Sequence, residues 1–467
     1  MPDYSPITPD IFNKIKEAVG SDCVILEDEK LIEYGKDSGE ISRRPELVIE
    51  ATSSEQIERL LRLANIHKFP VTPRGLGTGL AGGSVPLYGG VLLSMARMNR
   101  IISIEEDNMI ATVEPGVLNL DIKEAVRERG LFYPPDPASL DTSSIGGNAA
   151  TNAGGPSCVK YGTTRDYILG VEAVLPSGEK IEAGVKTRKG VVGYDLLRLI
   201  VGSEGTLGVI TKLTLKLIPH PPAITTMVAF FPELPSAMKA VTTILMKGHI
   251  PCAIEFMDRK CITLVRDLLP FEEMDTAGAF LLIETDGNPG VIESDIEMMG
   301  HICLECGAMN VIMAPDSVKR ARMWEVRREV SLRIEDSFPL YIPEDVVLPL
   351  GKIADFVACL PGYERAYGMT IFSFGHAGDG NIHLNITAED RESRERVEAG
   401  IKDLLKRVIK MGGTISGEHG IGITKRCYLP LELSAESIRM QKAIKEIFDP
   451  SGILNPGKIF YMDHFSL

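Results

Sequence analysis

No apolar run in this 467-residue chain approaches the roughly 18 residues that would suggest a membrane-spanning helix. A basic excess is missing too: 50 Lys and Arg against 64 Asp and Glu leave a formal charge of −14. Sequence-independent nucleic-acid binding needs lysine and arginine to displace counterions, so that class is excluded. The first residues are acidic and polar where a secretory signal would be basic and then apolar, which reads as cytoplasmic, or peripheral to a membrane. Cysteine is sparse, 8 in all, and too scattered for a disulfide framework. Cys303 and Cys306 in HICLECG form a lone CxxC among apolar residues. Such a pair can be redox-active or half a zinc site, but without a second pair it reads as two packed core thiols. No spacing matches iron–sulfur ligation and there is no haem-attachment CxxCH, so electrons moved by this chain need another carrier.

What is present is ordinary globular composition, 44% hydrophobic and 24% charged. At roughly 150 residues per domain the length allows two or three units. Thr8-Pro9-Asp10 starts a helix with a cap and a proline at its first position. PELVIEA reads as a strand, Ser53 and Gln56 as a capping box, and Ile57, Leu60, Leu61 and Ala64 as the apolar face of the next helix. FPVTP then makes a second strand, completing a strand–helix–strand unit. Further strands run to GVITKLTLKLI, and the proline break after His220 marks a boundary. Beyond it, strands such as GAFLLIETDG and MTIFSFGH alternate with helices, and a last helix starts near Ser434 with Met440, Ile444 and Ile447 on one side. The expected class is α+β, with domains at 1–220, 221–428 and 429–467, the last returning to the first.

The densest glycine loop is PRGLGTGLAGG (73–83). Glycines let backbone N–H groups approach an anion and form a concave nest. A Rossmann fingerprint fails because Leu80 stands where the third glycine should and no helix follows; a Walker loop fails for want of Gly-Lys-Ser/Thr. Taken alone, the loop is equally a tight connection between strands. A second loop, DTSSIGGNAATNAGGPSCVKYG (141–162), and a third, GSEGTLGVIT (202–211), add glycines interleaved with small hydroxyl and amide side chains. Together they suit one large phosphate-bearing cofactor wrapped by a single domain.

In this order and at these separations, the three loops resemble the FAD-binding domain of the vanillyl-alcohol-oxidase flavoproteins. Within that superfamily the sequence is most similar to the FAD-dependent D-2-hydroxyacid dehydrogenases, the D-lactate, glycolate and D-2-hydroxyglutarate branch. The resemblance runs from about residue 40 to residue 460. It implies a two-part FAD domain and an α/β substrate-binding cap domain carrying an antiparallel sheet. It also implies flavin contacts from Pro73, Arg74, Gly75, Gly77, Thr78, Gly79, Gly82 and Ser84 in the first loop. Pro137, Ser143, Ser144, Gly146, Gly147, Asn148, Asn152, Gly154 and Gly155 follow from the second, and Glu204, Gly205, Gly208, Ile210 and Asn455 from the third and the C-terminal stretch. The first loop has no histidine for covalent attachment, so the FAD is expected to be non-covalent.

The chain has only 8 histidines, and His376, His383 and His419 fall close together. GHAGDGNIHLNI places Asp379-Gly380 between apolar alternations, a hairpin signal. Folded over that hairpin, His376 and His383 become cross-strand neighbours suited to one metal ion. Glu418 precedes His419 in ISGEHGIG, and two histidines with one carboxylate leave open coordination positions. Histidines beside a hairpin are also often just hydrogen-bonded. The resemblance assigns a divalent metal (zinc, ferrous iron or manganese) to His376, His383 and Glu418, and the catalytic base to His419.

In WEVRREVS, Arg327 and Ser331 share a helix face, and an arginine fork suits a carboxylate; a mixed-charge surface helix is the bland alternative. Where the 2-hydroxyglutarate enzymes have a lysine, this sequence has Pro343, which argues for a smaller monoacid. The expected enzyme is therefore an FAD-dependent oxidoreductase acting on a small D-2-hydroxy acid, D-lactate foremost. Glycolate or D-2-hydroxyglutarate with a quinone acceptor is the alternative, and a metal-dependent hydrolase a remote one. An electron-transferring flavoprotein is the expected electron acceptor, a quinone the next.

Overall fold

The computed structural model describes residues 4–268 and 271–462. The chain divides into two compact units. The first comprises the described residues of Met1–Ala153, Thr163–His220 and Glu418–Leu467, and the second comprises Gly154–Gly162 and Pro221–Gly417.

In the first unit, Thr8 caps the helix Pro9–Val19 by accepting from the Ile11 N–H, and Ile11, Ile15 and Val19 turn inward. The strands Leu47–Glu50 and Val71–Arg74 flank Val91–Ser94 in parallel, with the helix Ser54–His67 as crossover. That helix starts as the sequence suggests, with Ser53 accepting from the Gln56 N–H. The other half of the capping box is displaced: Gln56 Oε1 accepts from the Thr52 N–H at 2.8 Å, while its Nε2 donates to Val19 O at 2.7 Å. The bond to the first helix draws the amide one residue back. Ile57, Leu60, Leu61 and Ala64 bury against Ile11, Ile15 and Val19 and the sheet's Leu47, Ile49, Val71 and Leu93. Each fully buried leucine, isoleucine or valine there contributes about 1.5–3 kcal/mol.

A five-stranded antiparallel sheet follows, in the order Ile101–Glu105, Ile110–Val113, Val209–Lys216, Ile168–Val174, Lys180–Gly184. The C-terminal stretch closes the parallel sheet: the Val71 N–H donates to Ile453 O and the Asn455 N–H to Val71 O, each at 2.8 Å. The final helix, Ala435–Phe448, is inverted. Met440 and Ile447 are 54% and 79% exposed, and the buried residue is Lys445. Its ammonium donates to Thr206 O at 2.7 Å and Leu454 O at 2.9 Å and pairs with Asp449, so a polar network decides which face packs.

The second unit is built on a seven-stranded antiparallel sheet, ordered Asn310–Met313, Ala223–Phe231, Ala279–Gly287, Ala253–Asp258, Thr370–His376, Asn381–Ala388, Leu340–Val347. Pro343 lies in the last of these, an edge strand, where a missing N–H is tolerated. Phe230, Met257, Phe280 and Phe374 pack with Val326, Val330 and Ile334 of the helix Ser317–Ser337. Cys303 is buried and Cys306 partly so, and both are free thiols. Burial pushes the Cys303 thiol up to about 12, which suits a packing role.

The division after His220 falls at the proline break. The return to the first unit begins at Glu418 rather than at 429, because Gly417 is still fastened to the second unit's sheet through Asp345. Gly154–Gly162, expected with the first unit, belongs to the second: Lys160 Nζ donates to Asp286 O and the Tyr161 hydroxyl to Asp286 Oδ2, each at 2.8 Å.

Candidate active site

The strands Thr370–His376 and Asn381–Ala388 form the expected hairpin, but its register differs from a direct histidine pairing. His376 stands opposite Asn381, and His383 stands opposite Phe374. Four residues occupy the turn, so the two histidines are diagonal neighbours on one sheet face. The rings still meet, with centroids 5.1 Å apart and planes at 87°. Their Nε2 atoms are 3.4 Å apart. Nitrogens held tetrahedrally at about 2.0–2.1 Å from one ion are separated by roughly 3.4 Å, so the donor set fits a shared metal.

Glu418 is delivered by the chain just before it. Asp345, fully buried, lies opposite His383 in the edge-strand register. Its carboxylate accepts from the Gly417 N–H at 2.6 Å and the Ser416 hydroxyl at 3.1 Å. One peptide bond further, a Glu418 oxygen and the two histidine nitrogens all lie within 4.8 Å of one another.

A carboxylate that sequence reasoning missed orients this centre. Glu255 stands opposite His376 in the sheet and is fully buried. One oxygen meets His376 Nδ1 at 2.6 Å and the other accepts from Arg327 Nε at 2.7 Å. With Nδ1 engaged there, Nε2 is the nitrogen left facing His383, the usual way an outer carboxylate fixes a metal-binding imidazole. Burial alone would raise the Glu255 carboxyl, but His376 and Arg327 outweigh it and hold it at about 2. Arg327 is itself buried, with its guanidinium 4.6 Å above the Phe374 ring, so this face of its helix is not a solvated surface. The signal for Glu255 was available: it is the one charge inside PCAIEFM.

The flavin-loop residues collect in the first unit, apart from Gly154 and Gly155, which go with the second. Their uses divide. Arg74 turns into its own loop, donating to Lys36 O at 2.6 Å and Ser84 Oγ at 3.2 Å. Gly77, at φ 76°, makes room for that guanidinium, which lies 2.0 Å from where a Cβ would stand. Gly75 touches the second loop, since a Cβ there would sit 2.4 Å from Ser144 Oγ. Ser144 caps the short helix Ile145–Thr151, which carries Gly146, Gly147 and Asn148, and Asn152 ends it. Asn152 Oδ1 accepts from the Arg165 N–H at 2.9 Å. Pro137 is buried, Gly205 packs on Pro73, and Gly208 and Ile210 lie at the start of the strand Val209–Lys216. Asn455 Nδ2 joins Gly83 O at 2.9 Å to Glu204 O at 2.7 Å. The Glu204 carboxylate accepts from the Ile421 and Gly422 N–H groups at 2.8 and 2.7 Å.

Other groups have polar capacity to spare. Among the described residues, Ser143 Oγ, Asn148 Nδ2, Asn455 Oδ1 and the Tyr133 hydroxyl are buried without a protein partner. Half-buried Thr78 and open Gly79 follow in the first loop, and a Cβ at Gly79 would meet nothing within 4 Å. Buried orphan donors and an acceptor beside open glycine backbone fit a polar cofactor such as FAD. Tyr133, whose carbonyl accepts from Lys123 Nζ at 2.8 Å, was not anticipated; it opens the YPPDP run, which was the available clue.

Comparison with known proteins is consistent across sequence and fold. Residues 45–184 match the family described as FAD binding domain, and residues 220–459 match FAD linked oxidases, C-terminal domain. The chain is 41% identical to the glycolate oxidase subunit GlcD of Bacillus subtilis (strain 168), covering 90% of each chain. It is 39% identical to a D-lactate dehydrogenase of Anaerostipes hadrus over 98% of each. Identity to a D-2-hydroxyglutarate dehydrogenase of Stutzerimonas stutzeri is 33%, over 97% of this chain and 99% of the relative. In fold, it superposes on p-cresol methylhydroxylase with a TM-score of 0.81 at 18% identity, covering 98% of both.

Proposed function

This chain belongs to the FAD-linked oxidases, and within that family of FAD-dependent oxidoreductases we propose that it oxidises a small D-2-hydroxy acid, D-lactate foremost, to the 2-oxo acid. The observation that carries the reading is the convergence of His376, His383 and Glu418 on one point. The Anaerostipes D-lactate dehydrogenase, matched over nearly its whole length, supports the choice of substrate.

Ser143, Asn148 and the glycine loops would hold FAD, which supplies the acceptor for the hydride leaving the substrate α-carbon. His376, His383 and Glu418 would hold a divalent metal, which supplies positive charge to acidify the α-hydroxyl. The chain's own groups do the rest. Arg327 spends Nε on Glu255, which leaves its Nη donors for the substrate carboxylate. His419, next to Glu418, takes the hydroxyl proton as the carbonyl forms. Pro343 gives a second carboxylate no cation, which favours a monoacid over hydroxyglutarate. Electrons then leave to a separate carrier, an electron-transferring flavoprotein being the proposed class and a quinone the alternative. Among the described residues no helix is long and apolar enough to cross a membrane.

The test is a visible spectrum with metal analysis, then anaerobic addition of D-lactate, glycolate and D-2-hydroxyglutarate. Bleaching by D-lactate supports the proposal, and bleaching by another acid reassigns the substrate. A yellow, metal-loaded protein bleached by none of the three would refute it, and a colourless metal-loaded one would point to a hydrolase.

A further inference from the structure

The GSEG loop carries a buried carboxylate whose two oxygens both bond to protein backbone. Glu204 is 8% exposed and sits at φ 53°, a left-handed conformation unusual for a side chain of its size. Both carboxylate oxygens are committed, one to the Ile421 N–H at 2.8 Å and the other to the Gly422 N–H at 2.7 Å. Gly420, at φ 80°, lets the segment close down, since even a Cβ there would come within 3.1 Å of Glu204 Oε1. The same residue's backbone is tied on both sides. Its N–H donates to Ala150 O at 2.7 Å, and its carbonyl accepts from Asn455 Nδ2 at 2.7 Å. Asn455 in turn reaches Gly83. One glutamate thus links the second glycine loop, the C-terminal stretch and the segment that begins with His419, all within the first unit.

A buried carboxylate accepting two backbone N–H groups makes strong, directional bonds. The same negative charge would be a poor neighbour for a pyrophosphate. We propose that Glu204 is a positioning residue for His419, gripping the backbone two and three residues beyond it so that the imidazole is presented to substrate in one orientation. This rests on His419 being the proton acceptor. A base displaced by about 1 Å can cost on the order of 100-fold in rate, so the grip need not touch substrate to matter.

The test uses the full-length, FAD-loaded protein and the variant Glu204→Gln, which keeps shape but offers one amide oxygen for two N–H groups. Four readouts are followed: FAD content and visible spectrum, hydrogen exchange of residues 418–424, flavin reduction by D-lactate, and that reduction repeated in a His419→Ala background. The expected result is unchanged FAD content and spectrum, exchange at Ile421 and Gly422 at least tenfold faster, and reduction slowed roughly 10–100-fold at saturating substrate with KM nearly unchanged. In the His419→Ala background, Glu204→Gln should add no further loss. Loss of FAD or a shifted flavin spectrum would make Glu204 a flavin contact and overturn the proposal. An equal slowing in the His419→Ala background would do the same. A wild-type flavin that no hydroxy acid reduces would refute the functional reading instead, and the exchange result would still report the grip.

Discussion

Glu255→Gln is the most informative single change, because one buried carboxylate holds both His376, proposed to bind the metal, and Arg327, proposed to receive the substrate carboxylate. The side chains of Arg327 and Glu255 are 10% and 0% exposed, and that of His376 is 7% exposed. This pair therefore follows the rule for buried ions, where removing one partner costs about 3–5 kcal/mol, and not the roughly 0–1 kcal/mol of a surface pair. Glutamine retains the shape and one acceptor oxygen, so the expected loss of stability lies at the low end, about 3 kcal/mol, and alanine approaches 5. Metal binding should weaken as well. Without the carboxylate, His376 Nδ1 no longer dictates which nitrogen faces His383, and divalent-metal affinity should fall by roughly 10–100-fold. The assay is calorimetric titration of chelator-stripped protein with Zn²⁺ and with Mn²⁺, beside urea unfolding of the same samples. A folded Glu255→Gln variant that binds both metals within threefold of wild type would refute the reasoning.

Two further outcomes are expected. His419→Ala should retain FAD but slow its reduction by D-lactate by roughly 10²–10⁴-fold, and a normal reduction rate measured by stopped flow would remove His419 from the mechanism. Burial pushes Lys458 down from 10.5 to about 7, with Glu204 and Asp37 opposing and Arg426 assisting. Between those values the unfolded chain binds the extra proton, so this lysine's contribution to stability rises with pH from about 7 to 10.5. The stability difference between wild type and Lys458→Met should therefore move in wild type's favour as pH climbs through that window, and a pH-independent difference in urea unfolding would count against it.

Much of this architecture was legible because local chemistry and tertiary packing agree. The cap at Thr8, the apolar stripe Ile57–Leu60–Leu61–Ala64 and the Asp379-Gly380 turn each appear where the residues suggest. The glycine loops gather in one unit apart from Gly154 and Gly155, and the His376 and His383 rings meet across the hairpin. What was not legible depends on partners distant in sequence. The hairpin register follows from a four-residue turn, which placed His383 opposite Phe374 rather than His376. Gln56 prefers Thr52 because Val19 claims its other end. Glycine spacing announces a cradle without saying which side chains line it, and the bonds that Arg74 makes to Lys36 and Ser84 and Glu204 to Ile421 and Gly422 depend on partners no spacing names. Lys445 inverts the last helix through acceptors from Thr206 and Leu454, a network no periodicity encodes.

The stitching of the C-terminal stretch into the first unit also sets the order of events on the ribosome. The strand Val71–Arg74 gains its outer neighbour only when Ile453–Asn455 arrives, and Lys458 reaches Val85 across 373 residues. At synthesis rates of about 5–20 residues per second, that gap is roughly 20–75 s of exposure for a bare sheet edge and an unfilled glycine cradle. The second unit's sheet, drawn wholly from Pro221–Gly417, can assemble in the meantime. A nascent chain truncated shortly after Gly417 is therefore expected to hold a finished cap beside an unfinished flavin fold. Translation speed and chaperone access over residues 418–458 are therefore expected to influence yield, in a way that the stability of the folded protein does not reveal.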